Sequence, residues 1–341
     1  MERIAAGLVR IVHHTYDVLF TAGSSFSLTS LACALVIAAA FLAFRDWKRR
    51  GRLRPRVLLH ALFPRRILTH RSTHADFGYL LFNWFVYGGI FGMAGLSYQF
   101  LTNGLLHGLI AVFGPVTPST LPATAQRSIV TLILFLAYEL GYWIDHYLKH
   151  RVPVLWELHK VHHTAEVLTP ITTFRMHPLD TFIFGHILTA TAAVANGLIA
   201  YAFGDTTYQY ALSGTNIILL AFIYLYVHLQ HTHIWIAFRG VLGRIFVSPA
   251  HHQIHHSTNP IHFNKNLGSC LAVWDWLFGT LHVPAKAREN LTFGVAPAYP
   301  DAHTITGEFL SPFGRAFNVM LGWVRRRPMP AAEAATNAPS R

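Results

Sequence analysis

Charge is scarce in this chain. Only 12% of its 341 residues are charged, against 52% hydrophobic, and just 15 are acidic. Soluble domains carry about 25% charged residues. Half that density, with apolar runs long enough to cross a bilayer, sets aside a soluble protein with a large core. Cysteine is nearly absent: Cys33 and Cys270 stand far apart, and Cys33 lies inside an apolar run. A disulfide framework is not expected, and a cysteine-rich metal site is excluded. No short leader with a small-residue cleavage site is evident at the start. No H-E-x-x-H pattern occurs, which argues against a zinc hydrolase with a glutamate base. Haem-attachment, flavin and dinucleotide motifs are missing too.

What the chain has is positive charge and histidine. Lys and Arg outnumber Asp and Glu by 27 to 15, for a formal net charge of +12. Most of this charge falls in loops between apolar runs, where it sets membrane orientation; no nucleic-acid partner is read from it. Residues 5–20 suggest an interfacial helix or a short extracytoplasmic segment. Apolar spans are expected at about 26–44, 77–100, 128–144, 180–203 and 207–228, with a shorter apolar piece at 104–114. The basic run "RDWKRRGRLRPR" after the first span marks the cytoplasmic side. Counting spans from there, 145–179 and everything after 228 return to that side. The expected fold is therefore all-α: a polytopic helical bundle of about four or five transmembrane helices, with a cytoplasmic helical cap. Three regions follow: an N-terminal membrane region at 1–127, a second domain at 128–284, and a surface segment with a disordered tail at 285–341.

The 23 histidines are unevenly spread. "DHYLKH" places His146 and His150 at i, i+4 on one helical face. "HKVHH" supplies His159, His162 and His163. "HLQHTH" supplies His228, His231 and His233. "HHQIHH" holds His251, His252, His255 and His256, of which the last three repeat the H-x-x-H-H spacing. Neutral imidazole is the commonest metal ligand. One tetrahedral ion needs four ligands at most, so about eight to ten nitrogens suggest two ions between helices. His13, His14, His60, His70, His74, His107, His186 and His303 read as ordinary interior or interfacial residues, and His177 in "HPLD" as a structural or supporting one. Glu-x-x-His, the pattern of carboxylate-bridged bundle sites, is absent from these clusters. Glu139, a carboxylate within a span, is expected to accept an N–H from a ligand histidine and orient it. Asp145 is a second such candidate. Asp275 is expected to cap or orient the surroundings of the last cluster.

This ordered series resembles the fatty acid hydroxylase and sterol desaturase superfamily. "ELGYWIDHYLKH", "FRMHPLD" and "NKNLGSCLAVWDWLFGTLHVP" are similar to that family's remaining conserved pieces. The resemblance covers about 128–284. It departs at Tyr147, where many members have Arg, and at Glu139, where Asp is usual. It implies a membrane-bound, O2-dependent, non-haem oxidoreductase with two iron ions (Fe2+/Fe3+). The reaction implied is hydroxylation or desaturation of an unactivated C–H position in a lipid: a sterol, fatty acyl chain, ether lipid or carotenoid. The ligands implied are His146, His150, His159, His162, His163, His231, His252, His255 and His256. His228, one helical turn before His231, is expected as a tenth. An external electron donor of ferredoxin or cytochrome type is implied, docking near Arg65, Arg66 and Lys149. The location implied is a bacterial inner membrane or the endoplasmic reticulum, with the site on the cytoplasmic face. A zinc-dependent membrane hydrolase, a metal transporter and a bis-histidine haem carrier stand as alternatives. A transporter places its ligands near the bilayer midplane, whereas these histidines fall at span ends.

Overall fold

The computed structural model describes residues 2–24, 26–116, 119–204, 208–295, 301–304 and 306–324. The chain is overwhelmingly helical, and the one sheet among the described residues is a two-stranded hairpin, Ala211–Leu212 with Thr215–Asn216. Three helices are long and apolar enough to cross a membrane: Leu28–Arg50, Ala123–Arg151 and Pro178–Phe203. They correspond to the spans expected at 26–44, 128–144 and 180–203. Each keeps large apolar side chains exposed, among them Val36, Phe44, Leu132, Val194 and Leu198. Such continuous apolar surface belongs in lipid. Lys48, Arg49 and Arg50 fill the last turn of Leu28–Arg50, complementing its dipole, and Gly51 ends it at φ 69°.

Two expected segments take a different form. The span at 77–100 and the apolar piece at 104–114 are one continuous helix, Arg71–Phe113, of 43 residues. At 1.5 Å per residue it is about 65 Å long. Gly104 and Gly108 weaken a helix without stopping it. The stop comes at Gly114, whose φ is 78°, followed by Pro115. The segment expected as a fifth span at 207–228 holds the hairpin and then the nine-residue helix Ile217–Leu225. Nine residues rise about 14 Å, half the hydrocarbon core. Ser213 and Gly214, both at positive φ, form the two-residue turn, and the Asn216 side chain caps the helix by accepting from the Ile218 and Leu219 N–H groups.

The chain divides into two compact units. One comprises Met1–Phe63, Phe100–Ala137 and Ala193–Leu229; the other comprises Pro64–Gln99, Tyr138–Ala192 and Gln230–Arg341. In the first, Leu28–Arg50 packs against Ile217–Leu225. There the Asn216 amide donates to Thr131 O, and the Thr131 hydroxyl accepts from the Tyr210 N–H. The second unit has a polar interior. Arg175, fully buried, donates to Asp76 Oδ1 at 2.6 Å and to Glu308 Oε1 at 2.9 Å. Burial of an arginine is tolerated where every N–H finds an acceptor. The helix Ser311–Val324 packs on Pro153–His163, with Arg315 Nε 3.0 Å from Glu157 Oε2. Its Phe313, Phe317 and Met320 remain exposed. The tail expected to be disordered falls on 325–341, outside the described residues.

Candidate metal centre

The C-terminal end of Ala123–Arg151 and two shorter helices carry most of the histidines, and the starts of the two shorter ones are written in the sequence. Ala123–Arg151 ends where Pro153 lacks an N–H and drives Val152 to an extended φ −99°, ψ 111°. Pro153 then opens Pro153–His163, so His146 and His150 meet His159 and His163 across a one-residue break. Pro249 opens Pro249–His255 behind Ser248, whose hydroxyl accepts from the His251 N–H. The His251 ring reciprocates, its Nδ1 accepting from the Ser248 N–H at 3.1 Å. His251 is thus a capping residue, and the other three histidines of "HHQIHH" are left for the centre.

Successive helical residues diverge by about 100°. Each H-x-x-H-H run therefore splits between two groups. His159 and His163 join His146, His150 and His255; His162 joins His231, His252 and His256. One run gives two ligands to the first group and one to the second; the other run does the reverse. Within each group the candidate ligand atoms all lie within 4.8 Å of one another. In the second group the Nε2 atoms of His162 and His231 are 3.1 Å apart, those of His231 and His252 2.8 Å, and those of His252 and His256 3.1 Å. The edge of a tetrahedron around an ion at the usual Zn–N distance is about 3.3 Å.

In three of the nine the opposite ring nitrogen is anchored on a carbonyl, which decides the tautomer. His146 Nδ1–H donates to Leu267 O at 2.8 Å, His255 Nδ1–H to Lys265 O at 2.9 Å, and His162 Nδ1–H to Arg175 O at 3.1 Å. A carbonyl only accepts, so each Nε2 carries a lone pair. His159 Nδ1 faces Asp180 Oδ2 at 3.3 Å. The Nε2 atoms of His146, His150, His159, His163 and His255 are all buried without a hydrogen-bond partner. Five buried ring nitrogens facing one another without hydrogen-bond partners are costly, and a cation would satisfy them. This donor set fits a borderline transition ion. Burial, with neighbouring histidines, holds His162, His163, His252 and His256 well below the ordinary imidazole pKa, and burial takes His255 down to about 3. They are neutral at pH 7, the form that binds metal.

Several expected residues stand elsewhere. His228 belongs to neither group. The helix stops at Leu225, and His228 sits in the 3-10 turn Val227–Leu229 with its Nε2 2.9 Å from Ser30 Oγ. The one-turn spacing to His231 therefore has no continuous helix beneath it. His233 is in neither group. Glu139 touches no ligand histidine: its Oε2 accepts from the Cys270 and Leu271 N–H groups at 2.9 and 2.7 Å. Asp145 pairs with Lys149 Nζ at 2.7 Å, and Lys149 also meets Asp180 Oδ1 at 2.8 Å. Lys149 is buried, so it is unavailable for docking a donor. His177 is structural: its Nε2–H donates to Phe309 O, and its Nδ1 accepts from the Leu179 N–H. Asp275 does orient the cluster's surroundings, accepting from Leu267 N–H, Gly268 N–H and the Thr280 hydroxyl at 2.6 to 2.8 Å. It thereby fixes the loop whose Leu267 carbonyl holds His146. Asp180 was the residue that sequence reasoning missed; it stands in the same "HPLD" stretch, three residues after His177.

Helical spans, a polar second unit and two all-histidine groups define a membrane protein with a candidate di-metal centre. Residues 131–280 are similar to the fatty acid hydroxylase family. Among curated relatives, an ornithine lipid hydroxylase of Rhizobium tropici is 33% identical over 150 residues, which is 43% of this chain and 40% of the relative. A human alkylglycerol monooxygenase is 27% identical over 161 residues, covering 47% and 32%. A human cholesterol 25-hydroxylase is 27% identical over 180 residues, covering 50% and 60%. The chain spans about a third of the length of the alkylglycerol monooxygenases it matches. No solved structure is significantly similar to it.

Proposed function

We propose that the protein is a membrane-bound, O2-dependent oxidoreductase that holds two iron ions and hydroxylates or desaturates an unactivated C–H position of a lipid. The observation that carries this is the convergence of nine histidines into two adjoining groups, in which His146, His162 and His255 have their Nδ1–H anchored on carbonyls and so keep a lone pair on Nε2. When bound, the iron ions supply the O2 activation that cleaving such a C–H bond requires. The chain's own part is to bring nine imidazoles together and to orient His146, His162 and His255 through their Nδ1–H groups. His159 gains basicity from Asp180, whose charge Lys149 balances. No carboxylate joins either group among the described residues. A hydrolytic reading therefore lacks its base. The names of the relatives, which act on an ornithine lipid, alkylglycerols and cholesterol, favour an amphiphile with a polar head. Electrons come from an external ferredoxin or cytochrome, and the site faces the cytoplasm, the side of the basic run at 45–56.

The test is metal analysis and a visible spectrum of the detergent-purified chain grown with added iron. About two irons per chain, no Soret band, and loss of iron-dependent turnover in His159→Ala and His255→Ala are expected. A Soret band refutes the proposal. So does zinc retained under plentiful iron, with no oxygen consumption restored by iron.

A further inference from the structure

A third constellation lies outside the two histidine groups. His262, His282 and Glu289 bring candidate ligand atoms within 4.8 Å of one another, as the two groups do. His262 is buried at 1% exposure, yet neither ring nitrogen has a hydrogen-bond partner. An imidazole with both nitrogens orphaned is unusual: one is a donor and the other an acceptor, and burial leaves both unmet. Its Nε2 lies 3.5 Å from Glu289 Oε2, beyond good hydrogen-bond range, and its ring meets the His282 ring edge-on at 5.0 Å.

The three segments are fixed independently of any ligand. His262 ends the 3-10 turn Pro260–His262, capped by Asn259. The Asn266 side chain clamps His282 through its backbone, donating to His282 O and accepting from its N–H. The stretch after Glu289 is held by Thr258, whose N–H donates to Thr292 O at 2.9 Å and whose hydroxyl meets that of Thr292 at 2.6 Å. His282 and Glu289 are half-buried, leaving a route from solvent and freedom to close on an ion. Two of the three residues fall beyond the stretch that matches the family.

We propose that His262, His282 and Glu289 form a third metal site, distinct from the histidine-only centre, that takes a single zinc ion. Two imidazoles and one carboxylate are a zinc donor set that leaves a fourth position for water. An ion here ties three loop segments together. One of them leads to Lys265, whose carbonyl orients His255, so the site stiffens the surroundings of the main centre from outside.

Equilibrium dialysis of the iron-loaded, full-length protein in detergent against Zn2+ tests this, with wild type, His262→Gln and Glu289→Gln side by side. Wild type takes up one zinc more than either variant, or binds it at least about tenfold more tightly. X-ray absorption at the zinc edge of the wild type shows imidazole and carboxylate scattering. Equal uptake by all three proteins overturns the proposal, as does no uptake in the wild type, which leaves only a His262–Glu289 ion pair. Glu289 is partly exposed, so Glu289→Gln decides the matter if His262→Gln fails to fold. Because the readout is the difference between wild type and variant, it stands whether or not the nine-histidine centre holds iron.

Discussion

Replacing Asp180 with Asn separates metal orientation from stability. Asp180 accepts from His159 Nδ1–H through one oxygen and meets Lys149 Nζ at 2.8 Å through the other. Asparagine keeps the shape and one acceptor and removes the charge. Lys149 keeps Asp145 at 2.7 Å and a bond to the Asp180 main-chain carbonyl at 3.1 Å, so it is not left as a lone buried cation. The stability loss is then that of weakened charge-assisted bonds, about 1–3 kcal/mol. The alternative substitution, Lys149→Met, strands two buried carboxylates and costs about 3–5 kcal/mol. Metal affinity behaves oppositely. Losing the carboxylate partner of a ligand histidine lowers affinity about 10–100-fold, which is about 1.4–2.7 kcal/mol. The assay is iron retained per chain during a graded chelator challenge, run beside thermal unfolding of the metal-free variant in detergent. Asp180→Asn is expected to lose metal at a chelator concentration at least about tenfold lower, with a modest fall in Tm. Metal retention equal to wild type in a folded variant refutes the claim that Asp180 acts on the centre through His159.

Other expectations follow from the same geometry. His228→Ala leaves metal content unchanged, while loss of its contact with Ser30 lowers stability by about 1–3 kcal/mol, read by metal analysis and denaturation. Metal-stripped protein loses stability as pH falls below about 6.5, where unfolded histidines take up protons that the folded groups refuse. His255, held at about 3 in the fold, contributes about 1.4 kcal/mol at most per pH unit over the window between; an unfolding midpoint that rises from pH 7.5 to 5.5 contradicts this. Gly268→Ala places a Cβ against Leu271 O and within 2.9 Å of Asp275 Oδ2, so the loop holding His146 must shift. A cost of about 1–3 kcal/mol and weakened metal retention are expected in the same chelator assay.

What could be read from the sequence depended on whether a feature was local. The H-x-x-H-H spacing carries its own geometry, because 100° per residue fixes which histidines share a face. The split of each run between two groups is contained in that number, and Pro153 and Pro249 mark where the ligand helices begin. Spans showed where hydropathy was uninterrupted. They failed at 207–228, where a Ser-Gly turn and an Asn cap outweigh a long apolar average. The supporting acids were illegible for a different reason. Glu139 and Asp145 were placed by helical proximity to His146, yet a carboxylate goes where donors are, and theirs are the backbone at Cys270–Leu271 and the Lys149 ammonium. Asp180 reaches His159 across 21 residues of chain, and Asp275 reaches the Leu267 N–H only because Asn264 and Asn266 take left-handed backbone to fold the loop back. Such contacts depend on tertiary closure, which no periodicity encodes. The candidate ligands were legible because imidazole is the commonest metal ligand and these histidines cluster in the sequence. Their orienting partners were not, because any carbonyl or carboxylate that the fold delivers will serve, and here three of the four resolved Nδ1–H partners of the nine candidate ligands that settle a tautomer or charge are main-chain carbonyls with no identity in the sequence at all.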